Sequence, residues 1–267
     1  MGRVTIGSGM RIGVAEAGGG AGTPILFLHG VGSTKRVWDS QIDFFGRSRR
    51  ALAFDYPGYG ESDPLPAATR EDFAASVLAA LSALGIERAH VCGLSLGGVI
   101  AIAMHDQAPE RCASLVLADS FAVHPEGRAI YERSVAASRA ASMRELAEAR
   151  AGALLAPGAR AALYREVIDT MASIEAGAYR LGAEAVWLAD QRDRAARITV
   201  PTLVLCGEVD KVTPPELSRE LAALVPAARL QLIPGAGHLA NIEQPVAFNH
   251  AVDEFIAAAE HAVQQPR

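Results

Sequence analysis

Continuous apolar runs, separated by stretches with apolar residues at helical spacing, dominate the pattern of this chain. Ile25-Leu26-Phe27-Leu28, Arg50 to Phe54, Ala89 to Gly93, Ser114 to Leu117 and Thr202 to Cys206 each predict a short strand. Runs without polar alternation suit strands buried on both faces, as in a parallel sheet covered by helices. Arg229 to Ile233 closes the series, and Val4 to Ile6 with Arg11 to Ala17 forms a hairpin pair around Gly7-Ser8-Gly9 that predicts an antiparallel edge. Helices are predicted between them over Arg36 to Phe45, Arg70 to Leu84, Val99 to Gln107, from Pro214 or Pro215 to about Val225, and from about Gln244 to Ala259. In the second, Phe73, Val77, Leu78, Leu81 and Leu84 recur at helical spacing and Gly85 supplies a stop.

The alternation breaks after Ala118. From about Pro125 to Arg194 the chain carries alanine-rich helical segments, Arg128 to Ala141, Met143 to Leu155, Ala159 to Ala172 and Ala176 to Asp190, with no strand among them. Such a departure predicts a helical lid inserted into a strand-helix domain. The expected organisation is a core of residues 1–122 and 195–267, with a helical cap over residues 123–194.

Composition sharpens this only a little. At 267 residues the chain suits one domain with an insertion, and 50% hydrophobic with 21% charged residues is ordinary for a globular protein. A net charge of -5 lacks the basic excess that a phosphate-tracking surface needs. No nucleic-acid or membrane partner is therefore expected, only a small-molecule substrate, and nothing in the pattern sets the oligomeric state. Cys92, Cys112 and Cys206 lie in or at the start of apolar runs without metal-ligand spacing and read as reduced core residues. Met1 to Thr5 contains no apolar signal stretch, and no run approaches the roughly 20 apolar residues of a membrane span, so a cytoplasmic location is the expectation. The polar stretch from His261 to Arg267 is expected to fray.

The candidate chemistry gathers at Gly93-Leu94-Ser95-Leu96-Gly97-Gly98, a serine between glycines at a strand-to-helix corner. A Gly-x-Ser-x-Gly corner strains its central residue so that the hydroxyl projects clear of both elements, and absent side chains let strand and helix approach. The Leu96 amide, at the helix start, is then placed to face a developing oxyanion with the helix dipole behind it. The loop His29-Gly30-Val31-Gly32, after another strand, offers the Val31 amide as the second donor.

Functional loops of a parallel sheet gather at the carboxyl ends of its strands. Ser95, Asp210 and His238 each follow a strand, in the chain order serine, acid, histidine that accompanies this elbow. His238 would accept the Ser95 proton during attack on a carbonyl and return it to the leaving group, while Asp210 would hold the imidazole tautomer. Asp119 also follows a strand and stands as the rival acid. His29 is expected to shape its loop, Asp55 to cap a turn, and His90, His105, His250 and His261 have no site context. There is no His-x-x-x-His or Cys-x-x-Cys pair, no phosphate loop and no dinucleotide turn, so neither metal nor cofactor is expected and the reaction would need only water.

With these motifs the chain resembles the α/β-hydrolase superfamily over nearly its full length, through His29-Gly30-Val31-Gly32, Asp55-Tyr56-Pro57-Gly58-Tyr59-Gly60-Glu61-Ser62, Gly93 to Gly98, Gly207-Glu208-Val209-Asp210 and Gly237-His238. The resemblance implies an eight-stranded, mostly parallel sheet with a helical cap over a pocket that contains the triad. Within the superfamily the chain looks most like 3-oxoadipate enol-lactonases, in Pro201 to Asp210 and His238 to Pro245. It departs from them at His29 to Gly32, where those enzymes often carry Asn-Ser-Leu-Gly. Serine at position 95 disfavours dehalogenases and epoxide hydrolases, which place aspartate there, and Gly32-Ser33-Thr34 lacks the Gly-Pro-Gly usual in carbon-carbon hydrolases. The expected activity is hydrolysis of a small carboxylic ester or lactone; carbon-carbon hydrolysis, perhydrolysis and a non-catalytic receptor are the alternatives. Trp38 and Trp187 are candidates to shape the pocket, and Arg133, Arg36 or Lys35 to meet a substrate carboxylate.

Overall fold

The apolar runs pair into one eight-stranded sheet in the computed structural model, which describes residues 2–264. The strands are β1 (Gly2–Thr5), β2 (Arg11–Ala17), β3 (Ile25–Leu28), β4 (Ala51–Phe54), β5 (Ala89–Leu94), β6 (Cys112–Ala118), β7 (Thr202–Gly207) and β8 (Arg229–Ile233). They lie in the order β1-β2-β4-β3-β5-β6-β7-β8. Only the pairings of β2 with β1 and β4 are antiparallel, so the hairpin forms the expected edge. The remaining pairs are parallel and bring the carboxyl ends of β3 to β8 to one end of the sheet. Strands β3, β4, β5 and β7 are buried at every position, which is why their sequences show no polar alternation.

Helices cover both faces. One core packs Phe27, Phe45, Phe248 and Ile256 between the sheet, α1 (Asp39–Phe45) and the long carboxyl-terminal helix. The other packs Leu26, Val91 and Leu117 against α2 (Arg70–Ala83) and α3 (Leu96–Gln107). Helix α2 opens with a capping box: Thr69 accepts from the Asp72 amide while Asp72 accepts from the Thr69 amide.

Between β6 and β7 run α4 (Gly127–Ala140), α5 (Met143–Leu154), α6 (Ala161–Ala172), α7 (Ala176–Trp187) and the short α8 (Arg192–Ala196). An antiparallel bridge between Val123 and Asp190 joins the two ends of this excursion. Beside it, Gln191 donates from its amide to the Ala122 carbonyl at 2.9 Å and from Nε2 to the Val99 carbonyl at 2.8 Å. The helices thus rise from a closed neck over the serine-bearing end of the sheet. After β7 come α9 (Pro215–Leu224), α10 (Ala240–Glu243) and α11 (Pro245–Gln264).

Several boundaries differ from the sequence pattern. The stretch Arg36 to Phe45 is a 3-10 turn, Lys35–Trp38, followed by α1. The turn is drawn inward because the buried Lys35 Nζ pairs with Asp55 at 2.6 Å and Glu61 at 2.7 Å, while its amide donates to Asp55 Oδ1 at 2.8 Å. Helix α7 stops at Trp187, before the expected Asp190, and α8 and α10 are too short to carry a periodic signal. The polar tail expected to fray is helical through Gln264; its last part, 265–267, lies outside the described residues. Cys92, Cys112 and Cys206 are buried and unpaired. Among the described residues no helix is long and apolar enough to cross a membrane.

Candidate active site

Ser95 adopts φ 56° and ψ −115°, a conformation costing on the order of 1–3 kcal/mol that an L-residue keeps only where its surroundings impose it. Its amide donates to the Ala118 carbonyl at 2.9 Å, continuing the β5–β6 ladder, while Ser120 Oγ donates to the Ser95 carbonyl at 2.9 Å. A side chain at Gly93 would strike the Gly97 carbonyl, and one at Gly97 would strike the Leu28 carbonyl. Both glycines are therefore required by the close crossing of α3 over β3 and β5.

The Leu96 amide is the first of α3 and has no intrahelical acceptor by geometry. Among the described residues neither it nor the Val31 amide donates to a backbone carbonyl. The loop carrying Val31 is fixed from behind: His29 Nδ1 bonds the Gly30 carbonyl at 2.8 Å, and the Tyr56 hydroxyl donates to the His29 carbonyl at 3.1 Å. Burial lowers the His29 pKa, which favours the neutral ring.

His238 Nδ1 lies 2.8 Å from Asp210 Oδ2. The other Asp210 oxygen accepts from the amides of Val212 at 2.7 Å and Thr213 at 3.0 Å, and Thr213 Oγ1 donates to Oδ2 at 2.7 Å. Burial pushes the Asp210 carboxyl up, but His238 and Thr213 outweigh it and leave the pKa below its ordinary value. Asp119 sits beside it under opposite control. Burial first, then the Asp210 charge, raise its pKa well above its ordinary value; its Oδ1 accepts from the Gly207 amide at 2.7 Å, and among the described residues Oδ2 is buried without a hydrogen-bond partner. The hydrogen bond to the imidazole thus belongs to Asp210, and the rival acid is a neutral neighbour. Cys206 completes a close group with the two acids, within 4.8 Å. Its protonated thiol, a neutral acid and a carboxylate already engaged make a poor metal donor set.

Ser95 and His238 line one cavity, with Val31 on its core side and Leu154, Val167, Met171 and Trp187 supplied by α5, α6 and α7. Among the described residues no hydrogen bond joins Ser95 Oγ to His238, whose Nε2 is the ring nitrogen left over by Asp210. The backbone of His238 is tied to the helical layer, its amide donating to the Leu154 carbonyl at 3.0 Å. Glu243 adds a clamp, accepting from Ala156 N at 2.7 Å and Gly237 N at 2.9 Å.

Of the proposed pocket residues, Trp187 lines the cavity. Trp38 does not: it is fully buried and stacks on Phe27 with centroids 4.9 Å apart, because the 3-10 turn faces it into the sheet. Arg133 lines an outer cleft between α4, α5 and α9, and no residue of α4 lines the serine cavity. Arg36 borders the cavity, whereas Lys35 is spent in its buried ion pairs. The sequence pattern passed over Thr213, Glu243 and Arg150. A hydroxyl three residues after a loop aspartate is a recognisable turn signal for the first; the other two depend on partners distant in sequence.

Residues 25–251 match the model of the alpha/beta hydrolase family. The chain is 28% identical to 3-oxoadipate enol-lactonase 1 of Acinetobacter baylyi over 87% of its own length and 88% of that protein. It is 31% identical to 2-hydroxymuconate semialdehyde hydrolase of Pseudomonas sp. over 98% of its length and 96% of that protein. The crystal structure of the enol-lactonase from Burkholderia xenovorans superposes with a TM-score of 0.87 at 26% identity, covering 96% of this chain and 100% of that one. With its sheet order, strained serine corner and the match of residues 25–251, the chain belongs to the alpha/beta hydrolase family.

Proposed function

We propose that this protein hydrolyses a small carboxylic ester or lactone through an acyl-enzyme on Ser95. His238 Nε2 takes the Ser95 proton as Oγ attacks the carbonyl carbon, and the carbonyl π pair moves onto oxygen. The Leu96 and Val31 amides receive that oxyanion, each worth on the order of 3 kcal/mol of transition-state stabilisation. Collapse breaks the acyl–oxygen bond, and the imidazolium protonates the departing alcohol or enol oxygen. Water then repeats the sequence on the acyl-enzyme, releasing the acid and restoring Ser95. Asp210 holds Nδ1–H throughout and stabilises the imidazolium.

The observation that carries this proposal is the 2.8 Å contact of Asp210 with Nδ1 of His238, which lines the same cavity as Ser95. The enol-lactonase relatives support a lactone as the substrate form. The helices over residues 123–194 act in this account as the cap, and Trp187 as its contribution to the substrate wall. Ser95→Ala should lower turnover of 4-nitrophenyl butyrate by about a thousandfold or more while the melting transition stays cooperative. Unchanged turnover in the folded variant would remove the mechanism.

A second activity is favoured by the 31% identity to 2-hydroxymuconate semialdehyde hydrolase, namely carbon-carbon hydrolysis on the same serine. A vinylogous diketone cleaved faster than any ester or lactone would establish it in place of the first.

A further inference from the structure

Two spaces meet at the serine end of the sheet without merging. One is the cavity of Ser95 and His238; the other is the outer cleft between α4, α5 and α9. Arg150, Leu154, Trp187 and Val212 line both, so these four residues form the partition. Trp187 is the bulkiest of them and is only 2% exposed. Beyond the partition the cleft presents Ala137, Leu146 and Leu217 as an apolar floor.

The indole is braced by its neighbours. It stacks on Phe121 with ring centroids 5.8 Å apart at 16°, and it meets the His124 ring edge-on at 5.4 Å and 89°, contacts that favour one ring orientation. His124 lines the outer cleft, and its Nδ1 accepts from the Glu126 amide at 3.1 Å. The backbone is anchored to the core: Arg70 of α2 donates to the Ala185 carbonyl at 3.1 Å and to the Leu188 carbonyl at 3.2 Å, on either side of Trp187 in sequence. A side chain at Gly127 would strike the Trp187 carbonyl, so α4 starts directly against the end of α7. The wall is therefore built into the neck, close to the Val123–Asp190 bridge. Among the described residues the buried Trp187 Nε1 has no hydrogen-bond partner. That is a cost leucine or phenylalanine would not carry, and what the indole adds over them is bulk.

We propose that Trp187 sets the length of acyl arm the site accepts: it closes the serine cavity against the outer cleft and restricts the substrate to esters or lactones with a short acyl arm. The inference rests on acyl transfer to Ser95 and names the substrate class of that same site. An acyl chain attacked at its carbonyl by Ser95 lies among Leu154, Val167 and Met171 until it meets the indole, and a close-packed wall yields little to a longer one. With the indole removed, the longer chain passes beside Leu154 and Val212 into the cleft and lies on Leu146 and Leu217.

The test compares 4-nitrophenyl butyrate with 4-nitrophenyl octanoate, two probes sharing a leaving group and differing in acyl length. For the native protein kcat/KM should fall by about tenfold or more from butyrate to octanoate, and Trp187→Ala should raise the octanoate-to-butyrate ratio by about tenfold or more. Trp187→Leu, which leaves a smaller void, should shift the ratio in the same direction. Adding Ala149→Trp, at an exposed position that lines the outer cleft but not the serine cavity, to Trp187→Ala should cancel the gain. Both probes are read on one preparation, so any loss of folded protein cancels in the ratio. A native protein that turns over octanoate as well as butyrate, an unchanged ratio in both Trp187 variants, or a gain that persists with Ala149→Trp overturns the assignment while leaving hydrolysis at Ser95 intact. Hydrolysis of both probes that survives Ser95→Ala would instead remove the underlying mechanism.

Discussion

At the scale of single residues, two buried aspartates a few ångströms apart have pKa values pushed in opposite directions for reasons visible in their partners. Asp210 receives two amides, a hydroxyl and an imidazole, which hold its pKa below the ordinary value; Asp119 receives one amide and faces the Asp210 charge, and burial with that charge raises its pKa, which favours the neutral acid. Asp210→Asn should therefore lower kcat by about 10⁴-fold, because an amide favours the wrong imidazole tautomer. Asp119→Asn preserves the acceptor for Gly207 and removes no charge, so its rate loss should be far smaller. A larger loss in Asp119→Asn would transfer the orienting role to that residue. Stability gives a second readout with a definite sign. The folded pKa of Asp119 is raised, so between the unfolded and folded values the unfolded chain has released a proton that the native state retains. That difference makes native stability fall as pH rises, by at most about 1.4 kcal/mol per pH unit. Asp119→Asn should thus gain stability relative to the native protein in urea titrations as pH rises from about 4 toward neutrality. A constant difference across that window would contradict the neutral assignment.

Among the elements, the loop carrying His238 is held by the helical layer as much as by the sheet. Its amide bonds the last turn of α5, and Glu243 at the end of α10 grips Gly237 and Ala156 together. Burial raises the Glu243 pKa although three amides partly offset it. Glu243→Ala would leave two sheltered amides unpaired, at a cost of about 1–3 kcal/mol. The expected outcome is faster hydrogen exchange at Ala156 and Gly237, with kcat reduced more than KM; unchanged exchange at both amides would show that the clamp is dispensable. None of this was legible in the sequence, because α10 has four residues and Ala156, one of the two amides that Glu243 grips, lies 87 positions away. The strands were legible because burial on both faces writes an unbroken apolar run, as in Ile25 to Leu28. Large aromatics were ambiguous for a physical reason. Trp38 closes a 3-10 turn and Trp187 a helix, and only the direction of the Lys35–Trp38 turn, fixed by a buried ion pair to Asp55, sends the first into the core.

For the whole molecule, parallel pairing brings Ser95, Asp119, Asp210 and His238 to one end of the sheet, and the chain between β6 and β7 supplies the roof. The glycine-serine corner and the serine, acid, histidine order were readable because backbone geometry dictates them locally. What decides the substrate was not readable. Arg150 looks like any other arginine in an alanine-rich helix until Tyr179 and Ser134, from two other helices, accept from its Nη1 beside the cavity.

The central claim, covalent chemistry at Ser95, is tested most directly by treating the protein with a fluorophosphonate and mapping the adduct by peptide mass spectrometry. The account predicts one adduct, on the peptide containing Ser95, with hydrolytic activity lost in proportion to labelling. Full activity in protein quantitatively labelled at Ser95, or an unlabelled Ser95 in protein inactivated at another residue, would contradict it.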